Sequence, residues 1–397
     1  MLLSFSFKNF RSYRDEAVFS LETGTRLRRF KRENTHRTAF ASVVKSAFLF
    51  GPNAGGKSNL LKAFSVLRSL VVCPTSDSAE ALLWEPFCNS NNPTEFSVLF
   101  TKNGMLFEYT LHYTEKEVVY EQLSVNDKVV FQRDGQRVTS KEYSLLENST
   151  TLRSNQLLLY WAQDLNLPEA VDAFSWFEED IVDLTERLAL DVQLSRNEAK
   201  ILSDSAFKEK FLSILQAVDF NISDYIVSED TALKRQKSSE QLPFQHKFDD
   251  TSLYLPVNRE STGIKRFVQL LLAILPEFAS DKVILIDGFE QSFHIEMIKV
   301  LVNLMNKWNG TNQFIVTTHA FNVMDLFLRP DQIYFADKTP NGTSEVYSLF
   351  DFDDVAVTRS DFDYKKRYLK GMFAGMPIVN TTWLETIFEK GNRKYLA

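Results

Sequence analysis

One eight-residue run constrains this chain more than anything else in it. Gly51-Pro52-Asn53-Ala54-Gly55-Gly56-Lys57-Ser58 satisfies the pattern GxxxxGK[ST]. Residues 43–50 before it read as a buried strand, and the apolar periodicity after it reads as a helix from Lys57 to about Val72. In that context the glycines let the loop wrap so that successive backbone N–H groups face inward as an anion nest. The helix N-terminus adds its dipole to the same spot. Lys57 supplies a point charge for β- and γ-phosphates, and the Ser58 hydroxyl is a ligand for Mg²⁺. A nucleotide's phosphates are therefore expected against Gly51, Asn53, Gly55, Gly56, Lys57 and Ser58, with Asn59 beside them.

Three further stretches fit such a site. Val283-Ile284-Leu285-Ile286-Asp287 is an apolar strand ending in a carboxylate, which in a P-loop protein holds the metal. Taken alone, many buried strands end in Asp at a turn. Phe314-Ile315-Val316-Thr317-Thr318-His319 is a second such strand, and the C-terminal edge of a parallel strand is where ligands collect. A lone His is more often structural; here its place one helix and one strand after Asp287 favours a functional role. Glu260-Ser261-Thr262-Gly263 directly precedes an apolar helix from Phe267 to Leu275. It reads either as a second phosphate-binding helix start, through Ser261 and Gly263, or as a plain serine cap.

The rest of the chain organises around these pieces. Residues 2–7 and 17–21 read as strands, and 95–132 alternates as antiparallel strands with turns at Asn103-Gly104 and Asn126-Asp127. Helical patterns follow over 156–161, 170–185 and 199–218, and the polar stretch 226–245 reads as flexible. Strand and helix then alternate: strand 282–286, helix 295–308, strand 313–317, helix 323–328, strand 332–335, as in a parallel sheet covered by helices. This divides the chain into 1–150 (P-loop and β lobe), 151–245 (helical insertion and linker) and 246–397 (the remaining sheet strands). Of the 397 residues, 45 are Lys or Arg and 52 Asp or Glu, a net charge of −7, which argues against a protein that coats nucleic acid along its whole surface. Two cysteines, Cys73 and Cys88, form no CxxC, and no apolar run approaches a membrane span. A cytoplasmic protein with no membrane contact is expected.

The motif order P-loop, Ser-x-Gly helix start, Walker B strand and terminal His resembles the ABC/SMC/RecF-type ATPase heads. Asn9-Phe10-Arg11-Ser12 resembles the opening of the RecF/SMC/OLD branch and adds Arg11 to the nucleotide-contact candidates. Ser292-Phe293-His294, Leu328–Phe335 and Tyr368–Pro377 resemble RloA/AbiL-like AAA/ABC-type ATPases of bacterial phage defence. The resemblance implies an α/β head, with an antiparallel β lobe and an inserted helical lobe, that uses ATP and Mg²⁺. It also implies a head-to-tail homodimer in which Ser261 and Gly263 of one copy face the γ-phosphate held by Lys57 of the other. His319 would sense that phosphate, Ser292–His294 would lie at the seam, and Ser58 and Asp287 would hold the metal.

In such families a Glu directly after the Walker B Asp positions the attacking water. Here that position is Gly288, and Glu290 stands two residues on, in a turn. Either hydrolysis is slow or absent and ATP acts as a binding switch, or Glu290, His319 or the partner copy supplies the missing function. No glutamine in 85–105 fits the Q-loop role. Two functions follow. One is an abortive-infection ATPase subunit that responds to a DNA or phage-derived trigger and controls a separately encoded RloB-like nuclease or toxin. The other is a RecF-like, ATP-gated DNA clamp using the basic stretch Arg26–Arg37. Asp351–Asp354 reads as an acidic loop, His36, His112 and His246 as surface or core residues, and Tyr160, Trp161, Phe174, Trp176 and Phe177 as helix packing.

Overall fold

The computed structural model describes residues 1–24, 27–147, 152–185, 192, 194–218, 221–227, 242–275, 280–307, 310–352, 363–373, 383 and 387. Two large sheets organise it. The first is antiparallel and seven-stranded, in spatial order Arg137–Thr139, Lys128–Asp134, Val118–Val125, Met105–Tyr113, Thr94–Lys102, Leu2–Lys8 and Ala17–Ser20. Asn126 and Asp127 take positive φ (49° and 64°), as a two-residue hairpin turn requires.

The second sheet has six strands, in order Ile181–Asp183, Val283–Ile286, Gln313–Thr317, Ser46–Phe50, Ile333–Lys338 and Ser344–Ser348. The first five run parallel, and the last returns antiparallel at the edge. Its three central strands are apolar on both faces because both faces are covered. Ala47, Leu49, Val283, Leu285 and Ile315 point into one core, shared with the helix Lys57–Val72 and the antiparallel sheet. Phe48, Phe50, Ile284, Ile286, Phe314 and Val316 point into a second core, capped by the helices Thr262–Ile274 and Ile295–Lys307. This is an α/β P-loop head with an antiparallel β lobe, as the motifs implied.

Several elements differ from the sequence reading. The helix expected over 170–185 ends at Ser175; a π turn, Trp176–Asp180, follows, and Ile181–Asp183 becomes the edge strand beside the Walker B strand. Trp176 drives the break: its ring is fully buried, stacked on Phe100 with centroids 3.9 Å apart. The helix expected over 199–218 is two helices, Arg196–Ser203 and Ser205–Ala217, because Asp204 is extended and its side chain caps the second. The helix expected over 323–328 is a 3₁₀ turn, Phe321–Asp325. Within 226–245, residues 228–241 lie outside the described part, and Pro243 begins a hairpin strand, Pro243–Phe248, paired with Thr251–Pro256. The basic stretch is anchored rather than loose. Thr35–Arg37 pairs with Ser42–Val44, and the buried Arg329 donates to the Leu27 and Arg29 carbonyls while its guanidinium grips Asp331 at 2.7 Å. Arg26, Asp353, Asp354 and 374–377 lie outside the described residues. Among the described residues no helix is long and apolar enough to cross a membrane.

Candidate functional site

The P-loop leaves the strand Ser46–Phe50 at a glycine for a steric reason. Gly51 has φ +140°, and a Cβ there would sit 2.1 Å from the Ala336 carbonyl oxygen of the neighbouring strand. Gly56, at φ +115°, opens the helix Lys57–Val72, where a Cβ would strike Ser344 and the Tyr13 hydroxyl. The turn Asn9–Tyr13 clamps this end of the helix. Tyr13 donates its hydroxyl to the Gly56 carbonyl at 3.2 Å, and Asn59 Nδ2 donates to Ser12 Oγ at 2.7 Å. Arg11 reaches Asn59 Oδ1 at 3.3 Å and pairs with Glu85 at 2.5 Å.

Lys57 curls over the loop and donates to the carbonyls of Gly51 (2.8 Å) and Pro52 (2.9 Å). Burial lowers its pKa, and the charges of Asp287 and Glu290 work the other way. Asp287 leaves the end of the Walker B strand, where its Oδ1 accepts from Ser58 Oγ at 3.1 Å and from Thr317 Oγ1. Sheet order explains the meeting of residues 229 positions apart: the P-loop strand and the Walker B strand flank Gln313–Thr317 on either side. A hydroxyl and a carboxylate, hard oxygen donors on adjoining elements, suit Mg²⁺, which takes few protein ligands beside phosphates and water. His319 follows the middle strand and is partly covered by its neighbours. Burial, then the Lys57 charge, lower its pKa, against the pull of Glu290 and Asp287.

Asn53, Gly55, Gly56, Lys57, Ser58, Asn59, Asp287 and His319 line one cleft of about 200 Å³, together with Ala54, Gly288, Gln291 and Thr317. Gly51 floors it through Lys57, and Arg11 adjoins it through Asn59. Glu290 lies behind His319, its Oε1 accepting from the His319 backbone N–H at 3.0 Å. Ser261 and Gly263 stand outside the cleft. Ser261 is exposed and caps its helix, accepting from the Ile264 N–H at 3.3 Å; a Cβ on Gly263 would lie 3.1 Å from the Ser292 carbonyl oxygen.

Sequence reasoning missed Arg266, Thr317 and Gln291. Arg266, one turn after Gly263, is buried and donates to the carbonyls of Asp287 (3.1 Å) and Gly288 (2.7 Å) and to Gln291 Oε1 (3.2 Å). The one available signal was an arginine on the apolar face of that helix. Thr317 could have been found as the hydroxyl two residues before His319. Gly288, read as a missing glutamate, is a turn residue with φ +59°, its N–H donated to Thr317 Oγ1 at 2.9 Å.

Solved structures resemble the chain distantly. The SMC head domain from Thermotoga maritima is 13% identical over 87% of this chain and 98% of that one, with a TM-score of 0.41. The SmcHead bound to the C-winged helix domain of ScpA is 14% identical over 87% and 97%, at 0.44. The Smc head with an extended coiled coil, bound to the C-terminal domain of ScpA from Pyrococcus furiosus, is 10% identical over 87% and 96%, also at 0.44. At these scores the likeness assigns no residue a role. No curated protein matches. Residues 46–325, well over half of the chain, match the family described as "AAA domain, putative AbiEii toxin, Type IV TA system", and the chain belongs to that AAA-domain family.

Proposed function

We propose that this chain is the ATPase head of a two-copy, Mg-ATP-dependent switch that controls a separately encoded effector. The observation that carries the reading is the convergence of Lys57, Ser58, Asp287 and His319 on one cleft, while Ser261 stands exposed outside it. Lys57 and the loop N–H groups hold the β- and γ-phosphates, and Ser58 and Asp287 hold Mg²⁺, which neutralises phosphate charge. Ser261 and Gly263 of the second copy close over the γ-phosphate, with His319 beside it. The resemblance of Ser292–His294, Leu328–Phe335 and Tyr368–Pro377 to phage-defence ATPases leads us to a RloB-like nuclease or toxin as the effector.

The test is ATP binding by calorimetry and mass by light scattering, with and without Mg-ATP, for wild type, Lys57→Ala and Ser261→Arg. Wild type is expected to bind ATP and double its mass. Lys57→Ala should bind ATP more weakly and pair correspondingly less, and Ser261→Arg should bind ATP but stay single. A wild type that does not bind ATP overturns the reading.

The second reading, a DNA clamp, draws on the anchored basic turn, where Arg28, Lys31, Arg32 and Arg37 are exposed. It requires an ATP-dependent, salt-sensitive DNA affinity that neutralising Arg28, Lys31 and Arg32 removes.

A further inference from the structure

Resting on the ATP reading above, we infer that the water-activating carboxylate of this chain has moved from position 288 to position 290, and that Glu290 is the general base. The chain does not continue as a strand after Asp287. Gly288 turns into the left-handed region, Gln291 N–H closes the turn on the Gly288 carbonyl at 3.1 Å, and Phe289 is pinned by its N–H to the Thr317 carbonyl at 3.0 Å with its ring fully buried. A side chain at 288 would run into Gln291, and its direction is set by the turn rather than by the strand. The same turn swings Glu290 back to the C-terminal edge of the sheet. There Oε1 is fixed by the His319 backbone N–H at 3.0 Å.

The second oxygen, Oε2, is shielded from solvent and has no hydrogen-bond partner among the described residues. A buried carboxylate oxygen without a donor is costly, and native structures keep such groups where another species completes them. Glu290 is tied to the backbone of His319 and directly precedes Gln291, and both of those residues line the phosphate cleft. When the cleft closes on ATP, a water admitted beside Oε2 and directed at the γ-phosphate supplies the missing donor. As its oxygen bonds to the γ-phosphorus, the bond from phosphorus to the β,γ-bridging oxygen breaks. ADP leaves with that electron pair, and the water's proton passes to Glu290 and then to solvent. One oxygen positions the carboxylate and the other takes the proton.

The variants Glu290→Gln and Glu290→Ala separate these two tasks. The Gln amide oxygen can still accept from the His319 N–H, so Gln removes the base and keeps the positioning contact; Ala removes both. Phosphate release, ATP affinity and mass in Mg-ATP are measured on the full chain beside wild type. Expected is turnover in wild type, a fall in kcat of about 100-fold or more in Glu290→Gln, ATP affinity within about threefold, and accumulation of an ATP-bound two-copy form. If Glu290→Gln keeps kcat within about threefold while Glu290→Ala loses it, Glu290 only positions His319 and the inference is overturned. Wild type that binds ATP without turnover also overturns it and leaves the ATP switch standing. Failure of wild type to bind ATP overturns the ATP reading itself.

Discussion

Restoring a glutamate at position 288 tests how the turn after the Walker B strand is built. From sequence alone, Gly288→Glu should supply the missing base and raise turnover. The structure predicts the opposite. Gly288 sits at φ +59°, where an L-residue costs about 1–2 kcal/mol. Its Cβ would lie 2.3 Å from Gln291 Nε2, the far end of a flexible side chain, so Gln291 can swing away. That motion sacrifices the 3.2 Å hydrogen bond from the Arg266 guanidinium to Gln291, about 1.5–3 kcal/mol for a charged donor. The sum is a loss of about 2.5–5 kcal/mol, with no gain in phosphate release. Gly288→Ala separates the contributions, since it meets the same backbone strain and the same Cβ contact without adding a carboxylate. Urea unfolding by circular dichroism reads the stability, and steady-state phosphate release reads the chemistry. Gly288→Glu with wild-type stability and a tenfold gain in turnover would refute the geometry argued for this turn.

Other outcomes follow from the same contacts. Lys57→Ala should weaken ATP binding by roughly 10–100-fold, the worth of a charge-assisted hydrogen bond at ~1.5–3 kcal/mol, as read by calorimetry. Asp287→Asn should lose most of the Mg²⁺ dependence of ATP binding while the fold persists, which a magnesium titration with bound ATP analogue checks. Asp180 is 7% exposed and bonded to Lys102 at 2.6 Å and Lys282 at 2.9 Å; Asp180→Asn should destabilise by about 1–3 kcal/mol in urea melts, because two half-buried ammonium groups lose their counter-charge. Burial, then the charge of Lys45, hold the His36 pKa down at about 4, with Nε2 against the Asn312 carbonyl oxygen. The folded pKa is below the unfolded value of about 6.5, so the unfolded chain binds the extra proton. Stability should fall as pH drops from about 6.5 towards 4, and His36→Gln should flatten that slope in melts across the window.

The convergence of the candidate site residues was legible where the signal is local. The P-loop, the strand ending in Asp287 and the strand ending in His319 are each an apolar run followed by one chemical group, and a parallel sheet places all such ends on one edge. The edge strand Ile181–Asp183 was not legible, because residues 170–185 keep a helical period and only the burial of Trp176 against Phe100 breaks it. Arg266 escaped because two of its three partners are backbone carbonyls 21 and 22 positions away, which carry no side-chain signature. At position 288 the sequence shows a glycine in place of a glutamate; that the chain reverses there, and returns Glu290 to the sheet edge, depends on Thr317, which receives the Gly288 N–H from another strand. The strand Ser344–Ser348 was missed for a related reason: it is defined by antiparallel pairing with a neighbour rather than by its own alternation.

These contacts also bear on how an event at the γ-phosphate reaches the surface that a second copy would meet. Lys57 and Ser58 lie on the P-loop side, and Ser58 touches Asp287. The turn after Asp287 is gripped from the other side by Arg266, through the carbonyls of residues 287 and 288. Arg266 belongs to the helix that Ser261 caps, and Gly263 of that helix packs against the Ser292 carbonyl, so a larger residue there would push the two apart. Glu290 joins the same turn to His319. Asp287, proposed to hold the metal, the helix start and the histidine are thus fastened to one short turn, residues 287–292. Packed contacts of this kind shift together rather than deform separately. A change in what Asp287 and His319 hold is therefore felt at Ser261 without a hinge between them, and cutting the Arg266 contacts should leave ATP binding largely intact while weakening ATP-dependent pairing of two copies.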